Sequence, residues 1–308
     1  MKKAAVLKML ASMTVFGTIG LAVRHVAMPR GLIATLRGFV GAAVILLFLL
    51  IVRARPSLAA IKRNLLPLIF SGGCIGVNWI LLFESYSYTT VAVSTLCYYM
   101  APVFVILLSP FLFGERITAK KGVCILFALV GMLFVSGVLD GGALSADTLV
   151  GVGLALGAAL FYAALTLISK RLVGISSYDT SIVQLFFASL VILPYTLFFE
   201  DYSGIELKLD TVAIVLLICI LHTGVAYTLY FSSVKSLPAQ SSAIMSYVDP
   251  VVALLCSVLL LDEPMTVLTV VGAVLILSST LVCELDTSRI SEKLLRRKSG
   301  AGGEDDGK

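Results

Sequence analysis

Two stretches of this 308-residue chain decide its fold: APVFVILLSPFLFGERIT at residues 101–118 and DPVVALLCSVLLLDEPMT at residues 249–266. In each, a proline is followed thirteen residues later by a glutamate. An ungapped alignment of residues 76–118 with residues 224–266 gives 14 identities in 43 positions. Internal repetition of this kind is typical of a duplicated architecture. The chain is therefore predicted to consist of two related halves.

Both stretches lie in a chain that is unusually apolar. Apolar residues make up 59% of the sequence, only 13% of residues are charged, and the mean hydropathy is +1.05. A soluble domain carries about 25% charged residues, so lipid is the expected solvent of most side chains. This excludes a cytosolic enzyme, a secreted disulfide scaffold and a nucleic-acid binder. The six cysteines show no C-x-x-C spacing, and we expect neither a metal site nor a cofactor.

Ten apolar segments lie between charged or turn-rich breaks. Each is long enough to cross about 30 Å of hydrocarbon at about 1.5 Å per residue. We therefore expect an all-α polytopic membrane protein with ten transmembrane helices. The segments are residues 5–22, 31–52, 65–84, 90–112, 121–138, 148–169, 180–199, 211–233, 240–261 and 265–284.

The distribution of Lys and Arg predicts the orientation of these segments. With the N-terminus in the cytoplasm, 19 of the 23 basic residues fall on the cytoplasmic side and 3 on the opposite side. Both termini are therefore predicted to be cytoplasmic. The predicted domains are a first five-helix repeat at residues 1–140, a second at residues 145–285 and a disordered cytoplasmic tail at residues 286–308.

The two halves are expected to be inverted relative to each other. Pro102 lies in the fourth predicted segment and Pro250 in the ninth. Because successive spans alternate in direction, a separation of five spans places equivalent helices in opposite orientations. Inverted repeats related by an axis in the membrane plane are typical of secondary transporters, in which one unit rocks against the other.

The two proline and glutamate motifs, together with LRGFVGAAVILL at residues 36–47, resemble the drug/metabolite transporter superfamily, specifically its EamA-type members. The resemblance covers residues 5–284. It implies an inner-membrane exporter or importer of small metabolites such as amino acids, with a central cavity between the halves. The second motif departs from the family pattern, with Asp262 in place of the Gly and Pro264 in place of the Arg.

Asp249 is the first candidate for a functional residue. It lies nine residues after Gln240 in the ninth segment, directly before Pro250. A charge at bilayer depth costs about 2.5 to 3.5 kcal/mol, so we expect the carboxylate to face a cavity or a partner. It either couples protons or binds a substrate amine, or it is a structural carboxyl bonded to backbone that Pro250 frees. Its counterpart in the first half is Ala101.

Arg37 is the second candidate, because it lies inside the second predicted span. It lies about six residues below the outer end of the second segment. Three interpretations remain open: contact with a substrate carboxylate, an ion pair with Glu84, or outward snorkelling. Pairing with Asp249 would need about 8 Å of axial reach and is not favoured.

Pro102 and Pro250 each remove a backbone donor within a predicted helix. Exposed backbone survives in a membrane only beside protein or a water-filled cavity, so both helices are expected to line the transport path. A purely architectural kink is the alternative. The aromatic and amide side chains expected around them, as cavity lining or as ordinary packing, are Trp79, Asn78, Tyr98, Tyr99, Tyr227 and Tyr247.

Several other residues have both a functional and a structural interpretation. His222 is either a proton carrier or a hydrogen-bonded structural histidine. Glu115 and Glu263 lie at helix ends, where solvation or an ion pair explains them as well as function does. Close helix packing is expected at two G-x-x-x-G pairs, Gly72/Gly76 and Gly153/Gly157.

The leading hypothesis is a secondary active transporter of small organic metabolites that is proton-coupled, ion-coupled or facilitative. The expected partners are a small-molecule substrate and the lipid bilayer, with a homodimer left open. A membrane-embedded enzyme is the less favoured alternative, because Arg37, Glu84, His222 and Asp249 are expected at scattered depths. A non-transporting receptor or accessory subunit is a further alternative, which the duplication does not exclude.

Overall fold

A computed structural model describes residues 2–113, 117–135, 145–203, 205, 208–234, 237 and 245–284. Every regular element within these ranges is helical. The elements are α1 (Lys2–Gly17), α2 (Ile19–Arg24), α3 (Arg30–Ile51), α4 (Leu58–Arg63), α5 (Leu65–Tyr88), α6 (Val91–Tyr98), α7 (Ala101–Phe113), α8 (Ala119–Val135), α9 (Ala146–Ser169), α10 (Ser177–Phe199), α11 (Leu209–Leu217), a π-helix (Ile218–Val225), α12 (Ala226–Val234), α13 (Val248–Leu260) and α14 (Val267–Glu284).

Short polar residues determine where several helices begin. Ser57, Thr90, Ser145 and Ser176 precede α4, α6, α9 and α10, and each accepts a hydrogen bond from the backbone N–H three residues further on. An N-cap of this kind satisfies one of the donors that a helix leaves unpaired at its start. The short polar residues therefore fix the beginnings of helices whose bodies are almost uniformly apolar.

Seven helical stretches in the described residues are long and apolar enough to cross a membrane, and two shorter apolar helices occur near the C-terminal end. The protein is therefore a multi-pass membrane protein, and it is all-helical in its described residues. Each of the ten predicted segments contains helix, whereas the count of ten spans and the side of the termini stay predictions. The seven stretches are Lys3–Arg24, Arg30–Ile51, Leu65–Tyr88, Val91–Leu112, Ala146–Ser169, Ser177–Phe199 and Leu209–Ser233.

Three of these stretches are interrupted, which the apolar pattern did not indicate. Thr18 separates α1 from α2, and a turn at Tyr99 and Met100 separates α6 from α7. The π-helix interrupts the stretch formed by α11 and α12. A further turn, at Tyr247, directly precedes α13. Hydropathy reports burial in lipid and not backbone geometry, so these breaks are invisible in composition.

The helices pack in reciprocal pairs across the two halves. α3 contacts α10, and α8 contacts α14, each pair joining the corresponding segments of the two halves. The contact of α10 with α5 is matched by that of α3 with the π-helix. Similarly, the contact of α5 with α9 is matched by that of α12 with α1. The helices of one half therefore contact those of the other in the same pattern in both directions.

The two glycine pairs behave differently in this packing. A Cβ atom on Gly72 would lie 2.7 Å from the carbonyl oxygen of Gln184, and one on Gly76 would lie 2.8 Å from that of Ala188. The expected close approach is thus confirmed for this pair, between α5 and α10. It is wrong for Gly153, whose exposed position has no described atom within 4 Å of an added Cβ. Helical spacing alone does not say which face of a helix meets a neighbour.

Candidate functional site

The two repeat-related prolines lie next to helix breaks. Pro102 is the second residue of α7, directly after the turn at Tyr99 and Met100, and Pro250 is the third residue of α13, after the turn at Tyr247. The expectation that they remove a donor in mid-helix is therefore corrected. N–H groups in the first turn have no intrahelical acceptor, so proline is tolerated there. Both prolines start a helical segment beside an irregular turn.

Asp249 lies in the first turn of α13 and is partly exposed. Its carboxyl group lies near the hydroxyl of Tyr99 and interacts electrostatically with Arg37. A Cβ atom on Gly17 would lie 2.5 Å from the Asp249 carbonyl oxygen, so the end of α1 is in close contact with this turn. The carboxylate therefore lies where two helix breaks, at Tyr99 and Tyr247, come together.

Arg37 is buried, with only 6% of its surface exposed. Its Nε donates to Oγ1 of Thr223 over 2.8 Å, and its Cζ lies 4.0 Å from the centre of the Trp79 ring. Within the part of the chain that the structure describes, neither terminal nitrogen of the guanidinium has a hydrogen-bond acceptor. Guanidinium groups bind carboxylates in bidentate fashion through these nitrogens. Arg37 is thus held by one nitrogen and an aromatic face, and its two-nitrogen fork has no described protein acceptor.

Two of the three expectations for Arg37 are wrong. The side chain does not snorkel outward, because it is buried against Trp79. It does not pair with Glu84, which instead interacts electrostatically with Arg30. Nor does it form an ion pair with Asp249 within 4 Å, since the ion pair found among the described residues joins other partners. The remaining expectation, contact with a substrate carboxylate, stays open.

Glu84 and Arg30 lie at the edge of a cavity of about 500 Å³, at the ends of α3, α5 and α10. The cavity wall also includes Glu200, whose carboxylate accepts hydrogen bonds from the backbone N–H groups of Gly31 and Leu32, over 2.6 and 3.0 Å. Burial raises the pKa of the Glu200 carboxyl, and these two hydrogen bonds oppose that shift. Glu200 therefore acts as the cap of α3.

The aromatic candidates converge on the two charged residues. Tyr98 lies beside Tyr99, with ring centres 6.0 Å apart, and its hydroxyl faces the amide of Asn78. Tyr227 interacts electrostatically with both Arg37 and Asp249. The residues that the structure brings together, here called the charged cluster, are Arg37, Asn78, Trp79, Tyr98, Tyr99, Tyr227 and Asp249.

Two of the predicted residues have evident structural contacts. The side-chain nitrogen of Asn78 donates to the carbonyl of Ala158 over 2.6 Å and so joins α5 to α9. Tyr227 packs edge-on against Phe16, with ring centres 5.3 Å apart. Tyr247 forms the turn before α13. Asn78 and Tyr227 thus combine a packing contact with a position in the cluster.

His222 is buried and hydrogen-bonded at both ring nitrogens. Nε2 lies 3.0 Å from the hydroxyl of Thr18, and Nδ1 lies 3.3 Å from the carbonyl of Leu217. The ring thus joins the break in the first span to the π-helix, which confirms that it is a hydrogen-bonded histidine. A role as proton carrier stays a prediction. Such π-helical turns are often found at functional sites.

Glu263 forms an ion pair with Arg24, Oε1 to Nη2, at 3.0 Å. Its carboxylate also accepts hydrogen bonds from the backbone N–H groups of Val91 and Ala92 at the start of α6. The ion-pair interpretation is therefore confirmed for Glu263. Glu115, its repeat counterpart, lies outside the described residues.

Thr223 and Tyr162 belong to the site but were missed by sequence reasoning. Thr223 accepts the hydrogen bond from Arg37, and Tyr162 lies edge-on to Tyr98, with ring centres 5.5 Å apart. Tyr162 lies outside the aligned parts of the repeat, so comparison of the halves could not find it. A threonine in an apolar helix commonly bonds its own backbone, so Thr223 carried no distinctive signal.

Comparison with known proteins assigns the sequence to a family. The model of the EamA-like transporter family matches residues 3–137 and 149–284. A Bacillus subtilis (strain 168) protein named "Uncharacterized transporter YxxF" is 30% identical over 257 residues, covering 82% of this chain and 80% of that protein. An "Uncharacterized transporter" of Archaeoglobus fulgidus is 26% identical over 272 residues, covering 88% and 93%.

A solved structure described as "Crystal structure of protein" shares the fold. Its TM-score is 0.64 at 20% sequence identity, covering 94% of this chain and 99% of that one. At this identity the likeness concerns the fold alone. The family model, in contrast, matches both halves of the chain and nearly its whole length. The chain belongs to the EamA-like transporter family.

Proposed function

We propose that the protein is a secondary transporter of small organic metabolites, amino acids or similar compounds, that works by alternating access through the charged cluster. The family and the names of its relatives support a transporter role and point away from catalysis. The substrate class, the mechanism and the cytoplasmic membrane as its location are our proposal. The proposed partners are the small-molecule substrate and the lipid bilayer. A homodimer is compatible with the proposed transport mechanism.

One observation carries the proposal: the cluster holds a guanidinium group and a carboxyl group that form no ion pair within 4 Å among the described residues. Arg37 has two terminal nitrogens without a described acceptor, and Asp249 is partly exposed beside Tyr99. An isolated charge at this depth is costly and is kept where it serves a substrate or an ion. A small zwitterion would satisfy both charges, its carboxylate on Arg37 and its amine on Asp249. Its side chain would then lie among the aromatic rings.

The reciprocal helix contacts support alternating access. Because α3 contacts the π-helix as α10 contacts α5, the two halves can exchange their arrangements about an axis that passes between them. We propose that ten spans form two inverted repeats, at residues 1–140 and 145–285, with both termini and the tail at residues 286–308 in the cytoplasm. The 19 to 3 distribution of basic residues supports this orientation.

We further propose that Asp249 carries the coupling proton. It is a carboxyl group at the junction of two helix breaks, so a change in its charge would act on both. Facilitated export without proton coupling is the alternative within the same proposal. The two alternatives differ in whether flux follows an imposed proton gradient.

Counterflow in proteoliposomes tests the proposal. The purified protein, preloaded with a panel of unlabelled zwitterionic, cationic and anionic metabolites, is given trace amounts of their labelled forms. We expect accumulation of one or more zwitterions, and Arg37→Gln should reduce the initial rate about 10-fold or more, the loss expected for charge-assisted hydrogen bonds. Arg30→Gln, a matched change in the same helix but at the outer cavity, should stay within about twofold.

Each result has a clear meaning. Transport of metabolites with no carboxylate at undiminished rate would overturn the assignment of Arg37. Equal loss in Arg37→Gln and Arg30→Gln would show a general effect of removing a charge. A zwitterion that stabilises the protein in detergent but produces no counterflow would favour the receptor alternative.

A further inference from the structure

The Glu263 carboxylate accepts hydrogen bonds from four different residues. Its Oε1 accepts from Arg24 Nη2 at 3.0 Å, and its two oxygens lie 3.0 and 2.9 Å from the backbone nitrogen of Val91. Oε2 also accepts from the hydroxyl of Ser257 and, over 3.4 Å, from the nitrogen of Ala92. The side chain is only 9% exposed. One carboxylate thus joins the end of α2, the start of α6 and the end of α13.

These three elements all lead from Glu263 to the charged cluster. α2 begins after Thr18, next to Gly17, where an added Cβ would lie 2.5 Å from the Asp249 carbonyl oxygen, and α6 ends at the turn with Tyr99, beside Asp249. α13 begins with the turn that contains Asp249. At about 1.5 Å per residue, α2 and α6 are about 9 and 12 Å long. Glu263 therefore holds the far ends of three helices whose near ends surround the cluster.

The two shorter helices are separated from the rest of their spans. α2 is divided from α1 at Thr18, and α6 is divided from α7 at Tyr99 and Met100. A break in the hydrogen-bonded ladder allows the segments on either side to change their relative angle, as in hinge motions. These two turns are therefore the positions where α2 and α6 would hinge relative to α1 and α7.

The same two helices are in close contact. A Cβ atom on Gly20, in α2, would lie 2.5 Å from Cγ1 of Val91, the first residue of α6. Arg24 reinforces this contact, because its Nη2 also donates to the carbonyl of Thr89 at 3.0 Å. The two helices are therefore held against each other at the end where Glu263 lies.

We propose that Glu263 is the gating residue at this end of the transport path: its carboxylate holds α2 and α6 closed over the charged cluster, and its release lets them part. The inference rests on the transport function proposed above. Glu263 does not touch the charged residues of the cluster and acts through the two helices. Carboxylate hydrogen bonds to a helix N-terminus and to arginine are strong but few, so one residue can set the balance between closed and open.

Glu200 provides a matched control. It is another carboxylate that caps a helix, with hydrogen bonds to the backbone nitrogens of Gly31 and Leu32. Its helix, α3, is continuous from Arg30 to Ile51. Removing its charge therefore weakens a cap but releases no divided helix. A gate predicts different results for the two glutamates, whereas general loosening predicts similar ones.

The experiment measures access to the cluster. In a variant with all six cysteines replaced by alanine, Tyr227→Cys serves as the reporter, and a membrane-impermeant maleimide is added to right-side-out or to inside-out vesicles. With Glu263→Gln, we expect labelling about fivefold faster or more from the face where residue 24 lies, because loss of contacts made only in the closed state shifts the population towards the open one. Glu200→Gln should label at the rate of the parent, and labelling from the opposite face should not rise.

Equal labelling of Glu263→Gln and the parent would overturn the proposal, and so would equal acceleration in Glu200→Gln. If Glu263→Gln does not fold, Arg24→Gln removes the ion pair from the other partner and should give the same one-sided increase in smaller measure. The test is independent of flux. A parent that transports nothing would defeat the proposed function, yet a one-sided change in labelling would still support the gate.

Discussion

The turns before Pro102 and Pro250 are similar in backbone and different in chemistry. Each has a tyrosine at the break, Tyr99 or Tyr247, and a proline in the first turn of the helix that follows. The residue before the proline is Ala101 in one half and Asp249 in the other. The duplication thus supplied two helix breaks, whereas the carboxylate lies at only one of them.

The same asymmetry appears at the aromatic pair Trp79 and Tyr227. These residues occupy equivalent positions of the repeat, but Trp79 lies under the Arg37 guanidinium and Tyr227 packs edge-on against Phe16. Related backbones therefore carry unrelated side-chain roles. In the proposed transport cycle, the symmetry of the repeat serves the exchange between the two halves, and the departures from symmetry serve substrate binding.

The largest effect is expected from exchanging the residues before the two prolines. Asp249→Asn should lower the initial counterflow rate about 10-fold to 100-fold, the loss of a charge-assisted hydrogen bond, and should uncouple uptake from an imposed proton gradient. The double variant Asp249→Ala with Ala101→Asp should not recover, because the moved carboxylate no longer lies in the first turn of α13, where it faces the Tyr99 hydroxyl. Flux with and without a pH gradient measures both.

Recovery of flux in the double variant would show that the two helix breaks are functionally equivalent. It would contradict the claim that the carboxylate works only at the break before Pro250. Unchanged pH dependence in Asp249→Asn would remove this residue from coupling. Asp179→Asn is the matched control, because Asp179 is a buried carboxylate that accepts from the backbone nitrogen of Ser57, outside the cluster. Its flux should keep the parent's dependence on pH.

A smaller difference is expected between Trp79→Leu and Tyr227→Leu. Loss of a buried cation–π contact of about 2 kcal/mol should weaken substrate affinity about 10-fold to 30-fold through misplacement of Arg37. Loss of an edge-on aromatic contact of about 0.5 to 1.5 kcal/mol should change affinity by about 2-fold to 12-fold at most. Half-saturation concentrations in counterflow separate the two. Equal losses would mean that both aromatic residues serve the substrate in the same way.

The smallest effect concerns stability and the two glycine pairs. Gly72→Ala should destabilise the protein by about 1 to 3 kcal/mol, the usual cost of overpacking, because its new Cβ would meet the backbone of α10. Gly153→Ala should be neutral or stabilise by up to about 1 kcal/mol, since alanine favours helix and the position is open. Thermal unfolding in detergent provides the measurement. A destabilised Gly153→Ala would show a contact on that face.

Much of the candidate site could be predicted, because charged side chains are costly within a bilayer and are therefore rare in apolar segments. Asp249 and Arg37 were conspicuous as charges within apolar segments, and Trp79 with Tyr227 as a repeat-related pair. The partners of Arg37 could not be predicted, since Thr223 is 186 residues away along the chain. Depth estimates from helical rise place residues along the membrane normal but not around a helix axis, which is why Glu84 was considered and Thr223 was not.

The sequence by itself determined that this chain is helical, membrane-embedded and duplicated, because apolar runs, polar caps and repeated motifs are properties of the linear order of residues. It also singled out the charges that need a partner. Only the tertiary structure decided where the spans are interrupted, what holds Arg37 and that Glu263 joins α2, α6 and α13. Those outcomes depend on contacts between segments far apart in the chain, where the backbone groups freed at one helix end are satisfied by a side chain from another.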